Sequence, residues 1–123
     1  MIRAKGIGRS ILVTDAMAAA GCAPGRHTIG GVSAELSADG RVSLPGTPYL
    51  AGSSLTMDRA IANTVRFTGL PIESVIPMAS TIPAAYIGVA TRGTVHAGWD
   101  PGTADLRILR VTDDNLSHRW PVR

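Results

Sequence analysis

Asp15 closes a short apolar run, Ile11-Leu12-Val13-Thr14. The run is rich in β-branched residues and reads as a strand buried on both faces, as in a parallel sheet or barrel. In such folds ligands bind and catalytic side chains project at the C-terminal ends of the strands, where Asp15 stands. A carboxylate there can act as general base toward water, as general acid toward a leaving group, or as a metal ligand. It can equally cap the turn that follows, and position alone leaves both readings open. The second stretch with chemical potential is Leu50-Ala51-Gly52-Ser53-Ser54-Leu55-Thr56-Met57-Asp58-Arg59-Ala60, a small-residue loop that runs into the strongest helix signal of the chain. Backbone N–H groups at such a helix N-terminus suit a phosphate or carboxylate.

The remaining reactive residues form no recognisable centre. The sequence has three histidines, His27, His96 and His118, and one cysteine, Cys22. There is no His-x-His, no His-Glu-x-x-His and no cysteine pair, so no metal ligand set is legible. Cys22 reads as a small filler rather than a nucleophile, because an activating base would be needed and only His27 is near in sequence. A phosphate-binding Gly-x-x-x-x-Gly-Lys-Ser/Thr motif, a dinucleotide fingerprint and a defensible Ser-His-Asp set are likewise absent.

Composition narrows the partners. Net charge is +3, with 12 basic and 9 acidic residues, and aromatic residues make up only 4%. The basic residues are scattered, with no basic-aromatic stripe, which argues against nucleic acid. Arg3, Lys5 and Arg9 are the densest basic group and read as a solvated face. They also precede an apolar stretch ending in Ala19-Ala20-Gly21-Cys22, the outline of a lipoprotein signal. Asp15 in its middle and glycines at 6 and 8 speak against that reading. No stretch approaches the ~20 apolar residues of a membrane-spanning helix. A single cysteine suits a reducing, cytoplasmic compartment.

The elements that must position Asp15 and the 50–60 loop follow from pattern. Residues 16–25 form a glycine-bounded loop. Val32, Ala34 and Leu36, then Val42 and Leu44, alternate around Asp39-Gly40, which predicts a β-hairpin inserted between strand and helix. Met57, Ile61 and Val65 recur every four residues as one helix face; Ser54 or Thr56 can cap it, and Gly69 ends it. Two short helices follow over 72–79 and 83–87, limited by Pro77 and Pro83. From 91 onward, Thr94-Val95-His96 and Leu106-Arg107-Ile108-Leu109 are strand-like runs between glycines and prolines. Fourteen glycines and eight prolines in 123 residues leave few regular segments, so much of the chain needs a neighbouring surface to order it.

Taken in order, Val13-Thr14-Asp15-Ala16-Met17, Gly30-Gly31, Asp39-Gly40, Leu50 through Arg59, Met78-Ala79-Ser80, Pro83-Ala84 and Gly102-Thr103-Ala104-Asp105-Leu106 resemble the C-terminal third of N-acetylglucosamine-6-phosphate deacetylases of the amidohydrolase superfamily. The resemblance implies an α/β fold. Residues 1–90 would be the end of a (β/α)8 barrel, with its eighth strand, loop hairpin and eighth helix, and residues 91–123 the C-terminal strands of a small β-sandwich domain. It implies metal-dependent hydrolysis of the acetamide of N-acetylglucosamine 6-phosphate to glucosamine 6-phosphate and acetate. Asp15 would be the catalytic base toward metal-bound water and then the proton donor to the departing amine. Leu50, Ala51 and Gly52 would contact the sugar phosphate. Zinc or iron would be the cofactor, with ligands from barrel strands that this chain does not contain; family members are often homo-oligomers.

The chain departs from the family pattern at three places. His27 stands where a tyrosine is expected, Ala85 where an arginine or lysine is usual, and Trp120-Pro121-Val122-Arg123 stop before an expected final strand pair. A barrel takes ~250 residues, about twice this chain. The expectation is therefore a chain active only when another polypeptide supplies the missing barrel portion. The alternative is an inactive interaction module derived from the family.

Overall fold

The computed structural model describes residues 1–90, 92–112 and 117–118, a mixture of helices and strands. They fall into two compact units, Val13–Met57 and Met1–Leu12 with Asp58–Arg123.

The unit Val13–Met57 is built on a sheet of β1 (Gly25–Ile29), β2 (Val32–Leu36), β3 (Val42–Ser43) and β4 (Leu50–Gly52), adjacent in that order. All three pairings are antiparallel. Alternation puts Ala34 and Leu36 on one face of β2, and these join Val42 and Ala19 in a buried cluster flanked by Met17 and Ala51. Full burial of a side chain the size of Val42 or Leu36 contributes about 1.5–3 kcal/mol.

The expected Asp39-Gly40 hairpin is present, with Leu36 opposite Val42. The Ser37 N–H donates to the Arg41 carbonyl at 2.9 Å. Asp39 binds back to its own turn, accepting from the Ser37 hydroxyl and from the Arg41 N–H at 3.2 Å. The loop expected over 16–25 gives way to β1 at Gly25, and β1 turns into β2 through Gly30-Gly31, both at positive φ (58° and 82°). Such a two-residue turn matches strand twist only with positive φ at both positions, which glycine supplies.

The unit comprising Met1–Leu12 and Asp58–Arg123 begins with a short helix α1 (Ile2–Lys5) and a 3₁₀ turn over Ile7–Arg9. Helix α2 (Met57–Thr68) starts and stops where the sequence predicts. Ile61 of the expected face is buried and Met57 and Val65 are half-buried, while Gly69, at φ 71°, donates its N–H to the Val65 carbonyl and ends the helix. Helix α3 (Ile72–Ala79) carries Pro77 inside rather than at its limit. Pro77 cannot donate to the carbonyl four residues back, and the helix ends two residues later. Val75 and Met78 are fully buried and anchor this unit. Helix α4 (Thr81–Tyr86) begins two residues before the expected start, with Pro83 in its first turn, where an N–H would have no intrahelical acceptor.

The strand-like runs of the C-terminal part extend into a longer antiparallel hairpin than the sequence suggests, β5 (Thr94–Asp100) with β6 (Asp105–Thr112). A register shift lies at His96/Ala97. Asp100 closes the hairpin turn by accepting from the Gly102 N–H at 2.8 Å and from the Thr103 hydroxyl at 2.7 Å. β7 (Ser117–His118) adds to β6. Residues 120–123, expected to stop short of a final strand pair, lie outside the described residues.

One local expectation fails. Residues 11–14 form no strand, and Ile11 and Val13 are 38% and 74% exposed rather than buried on both faces. A buried parallel strand is made by the neighbours that hydrogen-bond to it on each side. Among the described residues no strand flanks this run, and the parallel pairing comes one step later, as an isolated bridge between Ala16 and Ser53.

Candidate functional site

Asp15 is exposed and sits at φ 50°, in the left-handed region. Asp adopts that conformation more readily than most residues, yet it remains uncommon and costs energy that the surroundings must supply. What holds it is the next two residues. Ala16 bridges Ser53 in parallel, and the Met17 N–H donates to the Ser53 carbonyl at 2.8 Å. Residue 15 thereby lies one position from the bridge to Ser53, which follows β4, so its backbone adjoins the 50–52 segment singled out in the sequence.

The 50–52 segment is pinned from two other sides. β4 pairs with β3, placing Val42 opposite Gly52 and Ser43 opposite Leu50. Ala51 packs against the buried cluster, while Leu50 is 70% exposed. Beyond it the two serines are engaged in structure. The Leu55 N–H donates to the Ser53 hydroxyl at 3.1 Å, and the Ser54 hydroxyl donates to the Gly40 carbonyl. Ser54 therefore ties the loop to the tip of the β2–β3 hairpin instead of capping a helix. The sequence signal for this role, a serine just after Ala-Gly-Ser, is too common to have identified it. Met17 and the Ser53 carbonyl, which set residue 15 against the end of β4, were also missed, because nothing in their spacing marks a contact between residues 36 positions apart.

The other candidates make local contacts. The His27 ring contacts the Ala23 carbonyl through Nε2 at 2.9 Å; a carbonyl only accepts, so Nε2 carries the proton. His96 Nε2 lies 3.1 Å from Arg110 Nη2, and since a guanidinium only donates, that nitrogen accepts. Cys22 is exposed, with its thiol 3.7 Å from the Ala18 carbonyl. The side chain of His118 lies outside the described residues. Among the described residues no three His, Cys, Asp or Glu side chains are grouped so as to hold a metal ion. None of the described helices is long and apolar enough to cross a membrane.

Sequence and fold comparisons can be set against this geometry. No family model matches the chain. It is 39% identical over 108 residues to the N-acetylglucosamine-6-phosphate deacetylase of Rattus norvegicus, covering 86% of this chain and 24% of that protein. It is 35% identical over 98 residues to the enzyme of the same name from Lysinibacillus sphaericus, covering 80% and 25%. An N-acetylgalactosamine-6-phosphate deacetylase of Escherichia coli is 43% identical over 81 residues, 66% of this chain and 21% of that one.

Among solved structures, an N-acetyl-D-glucosamine-6-phosphate deacetylase variant from Mycobacterium smegmatis, in complex with N-acetyl-D-glucosamine-6-phosphate, superposes with a TM-score of 0.73 at 25% identity. The match covers 91% of this chain and 31% of that one. The Thermotoga maritima deacetylase gives 0.74 at 23% identity, covering 97% and 34%, a likeness of fold.

The relatives are thus named as deacetylases of amino-sugar phosphates, and the chain is their homologue. More particularly, it is homologous to the C-terminal part of the N-acetylglucosamine-6-phosphate deacetylases, and it spans about a quarter of the length of the curated relatives it matches.

Proposed function

We propose that the chain forms the C-terminal part of a deacetylase that hydrolyses the acetamide of N-acetylglucosamine 6-phosphate, releasing acetate and glucosamine 6-phosphate. Residues 1–90 complete a (β/α)8 barrel, in which residues 11–14 gain the flanking strands they need, and residues 91–123 are strands of a small β-sandwich. Asp15 is the catalytic group: it takes a proton from the attacking water and passes it to the departing amine, two steps that one carboxylate can serve in turn. Leu50, Ala51 and Gly52 line the sugar-phosphate side of the site through exposed backbone at the end of β4.

The observation that carries this reading is the Ala16–Ser53 bridge with its Met17 N–H bond, which sets a strained, exposed aspartate beside that segment. Curated relatives named for this reaction support it. The resemblance implies a divalent metal, zinc or iron. The described residues of this chain offer no donor set for such an ion, so they do not fit it. The remaining barrel strands, and the ligands with them, belong to preceding polypeptide or to a partner chain. Homo-oligomerisation and a cytoplasmic location go with this reading.

The test is acetate release from N-acetylglucosamine 6-phosphate with zinc or iron(II) present. The chain is assayed alone and mixed with a polypeptide carrying the preceding part of a relative, using the unaltered chain and Asp15→Asn. Activity in the mixture that is lost in Asp15→Asn is the expected result. An inactive mixture, with no metal retained, makes the chain an inactive interaction module.

A further inference from the structure

Gly52 and Met17 meet more closely than their separation in sequence suggests. A methyl group built at residue 52 would lie 2.9 Å from the Met17 sulfur and 3.4 Å from its Cβ and Cγ. No real Cβ contact is that short, so the thioether would have to leave its place against the cluster of Ala19, Ala34, Leu36 and Val42. The backbone at Gly52, φ 156°, lies at the margin of the region that favours glycine, so conformation asks for glycine weakly and Met17 asks for it sterically. The backbone of the same Met17 donates to Ser53, and Met17 stands two residues after Asp15, whose left-handed φ must be held from outside.

We infer that Met17 and Gly52 are a matched pair that sets the register of Asp15 against the 50–52 segment. Met17 is a positioning residue for the deacetylation, rather than a filler of the core. Its side chain occupies the volume that residue 52 leaves free, and that packing keeps its N–H on the Ser53 carbonyl. Asp15 and the backbone meant for the sugar phosphate therefore move together or not at all. This inference rests on the proposed deacetylase reading for its catalytic consequence and on packing alone for its structural one.

The experiment compares four versions of the full chain: unaltered, M17A, G52A and M17A/G52A. Hydrogen exchange is followed at the Met17 amide, and kcat and KM for acetate release in the complemented mixture. In G52A the Met17 amide exchanges about tenfold faster, because the contact that protects it opens locally. In M17A/G52A exchange returns to the M17A rate, because the added methyl then meets no sulfur. The kinetics follow the same pattern, with kcat falling in M17A, falling further in G52A, and returning in the double variant to the M17A value. A packing role without positioning would leave kcat unchanged where the fold persists.

If M17A/G52A exchanges as fast as G52A, or if both fail to fold, glycine is needed at 52 for reasons other than Met17 and the pairing is overturned. Normal kcat in a G52A chain whose Met17 amide is unprotected overturns the positioning role. If the unaltered mixture releases no acetate, the deacetylase reading fails, while the exchange rates still decide the pairing.

Discussion

Two aspartates of the same unit, both exposed, are held in opposite ways. Asp39 is bound to its own hairpin tip, accepting from Ser37 and Arg41, and those hydrogen bonds hold its carboxyl below the usual aspartate value. Asp100, in the other unit, repeats the pattern with Thr103 and Gly102. Asp15 accepts no such turn-closing hydrogen bond on its carboxylate among the described residues. It is exposed, in a left-handed conformation, and held through the backbone of Ala16 and Met17 rather than through its carboxylate. A carboxylate that completes a turn has committed its lone pairs to N–H and O–H donors, whereas one fixed through the main chain keeps them for a substrate. The difference supports the proposed role of Asp15 more sharply than residue type or loop position does.

The contrast breaks most visibly in activity. Asp15→Asn should lower acetate release in the complemented mixture by roughly 10²–10⁴-fold while leaving the unfolding midpoint where it was; Asp39→Asn should do the reverse. Equal losses of activity in the two variants would dissolve the distinction. Next comes the scaffold beneath both aspartates. Val42, 2% exposed and opposite Gly52, should cost about 2 kcal/mol as Val42→Ala, read from the denaturant midpoint at constant slope.

Gly40→Ala tests the Asp39 turn together with its tie to Ser54. Gly40 sits at φ 84°, and a methyl there would lie 3.3 Å from the Ser54 hydroxyl, so a loss of about 1 kcal/mol in the same titration is expected. The smallest effect is on pH dependence. Asp39 has a folded pKa below its ordinary 3.8, so its stabilisation is present above that value and fades as pH falls through 3.8 toward the lower folded value. Thermal midpoints of the unaltered chain and Asp39→Asn should therefore converge on acidification and differ at pH 6.

How much of this was legible in the sequence depended on how local the cause was. Helix α2 could be read to the residue because its apolar spacing and Gly69 are written within one segment. The Asp39-Gly40 hairpin is equally self-contained. By contrast, β1 was missed because Arg26, His27 and Thr28 carry no apolar alternation, and only its pairing with β2 makes it a strand. Residues 11–14 fail in the opposite direction: β-branched composition announces a strand that needs neighbours on both sides. Asp15 was singled out by its place after the apolar run and the 50–60 loop by its small residues before a helix, while the assignment of residues 50–52 came through the family resemblance. The bridge from Ala16 and Met17 to Ser53 was not foreseen, since it runs through main-chain groups that any residue pair can supply.

The Ser54 hydroxyl bound to the Gly40 carbonyl joins residues 14 apart in the chain, and this has a consequence for the order of events in time. The hairpin around Asp39 forms within about 1–10 μs on its own propensities, and closing a loop of this length is faster still. The acceptor on Gly40 exists in its final orientation only once that turn has formed. Maturation of the 50–54 loop thus waits on the hairpin, and a chain with a slowed turn would show the delay first at Ser54.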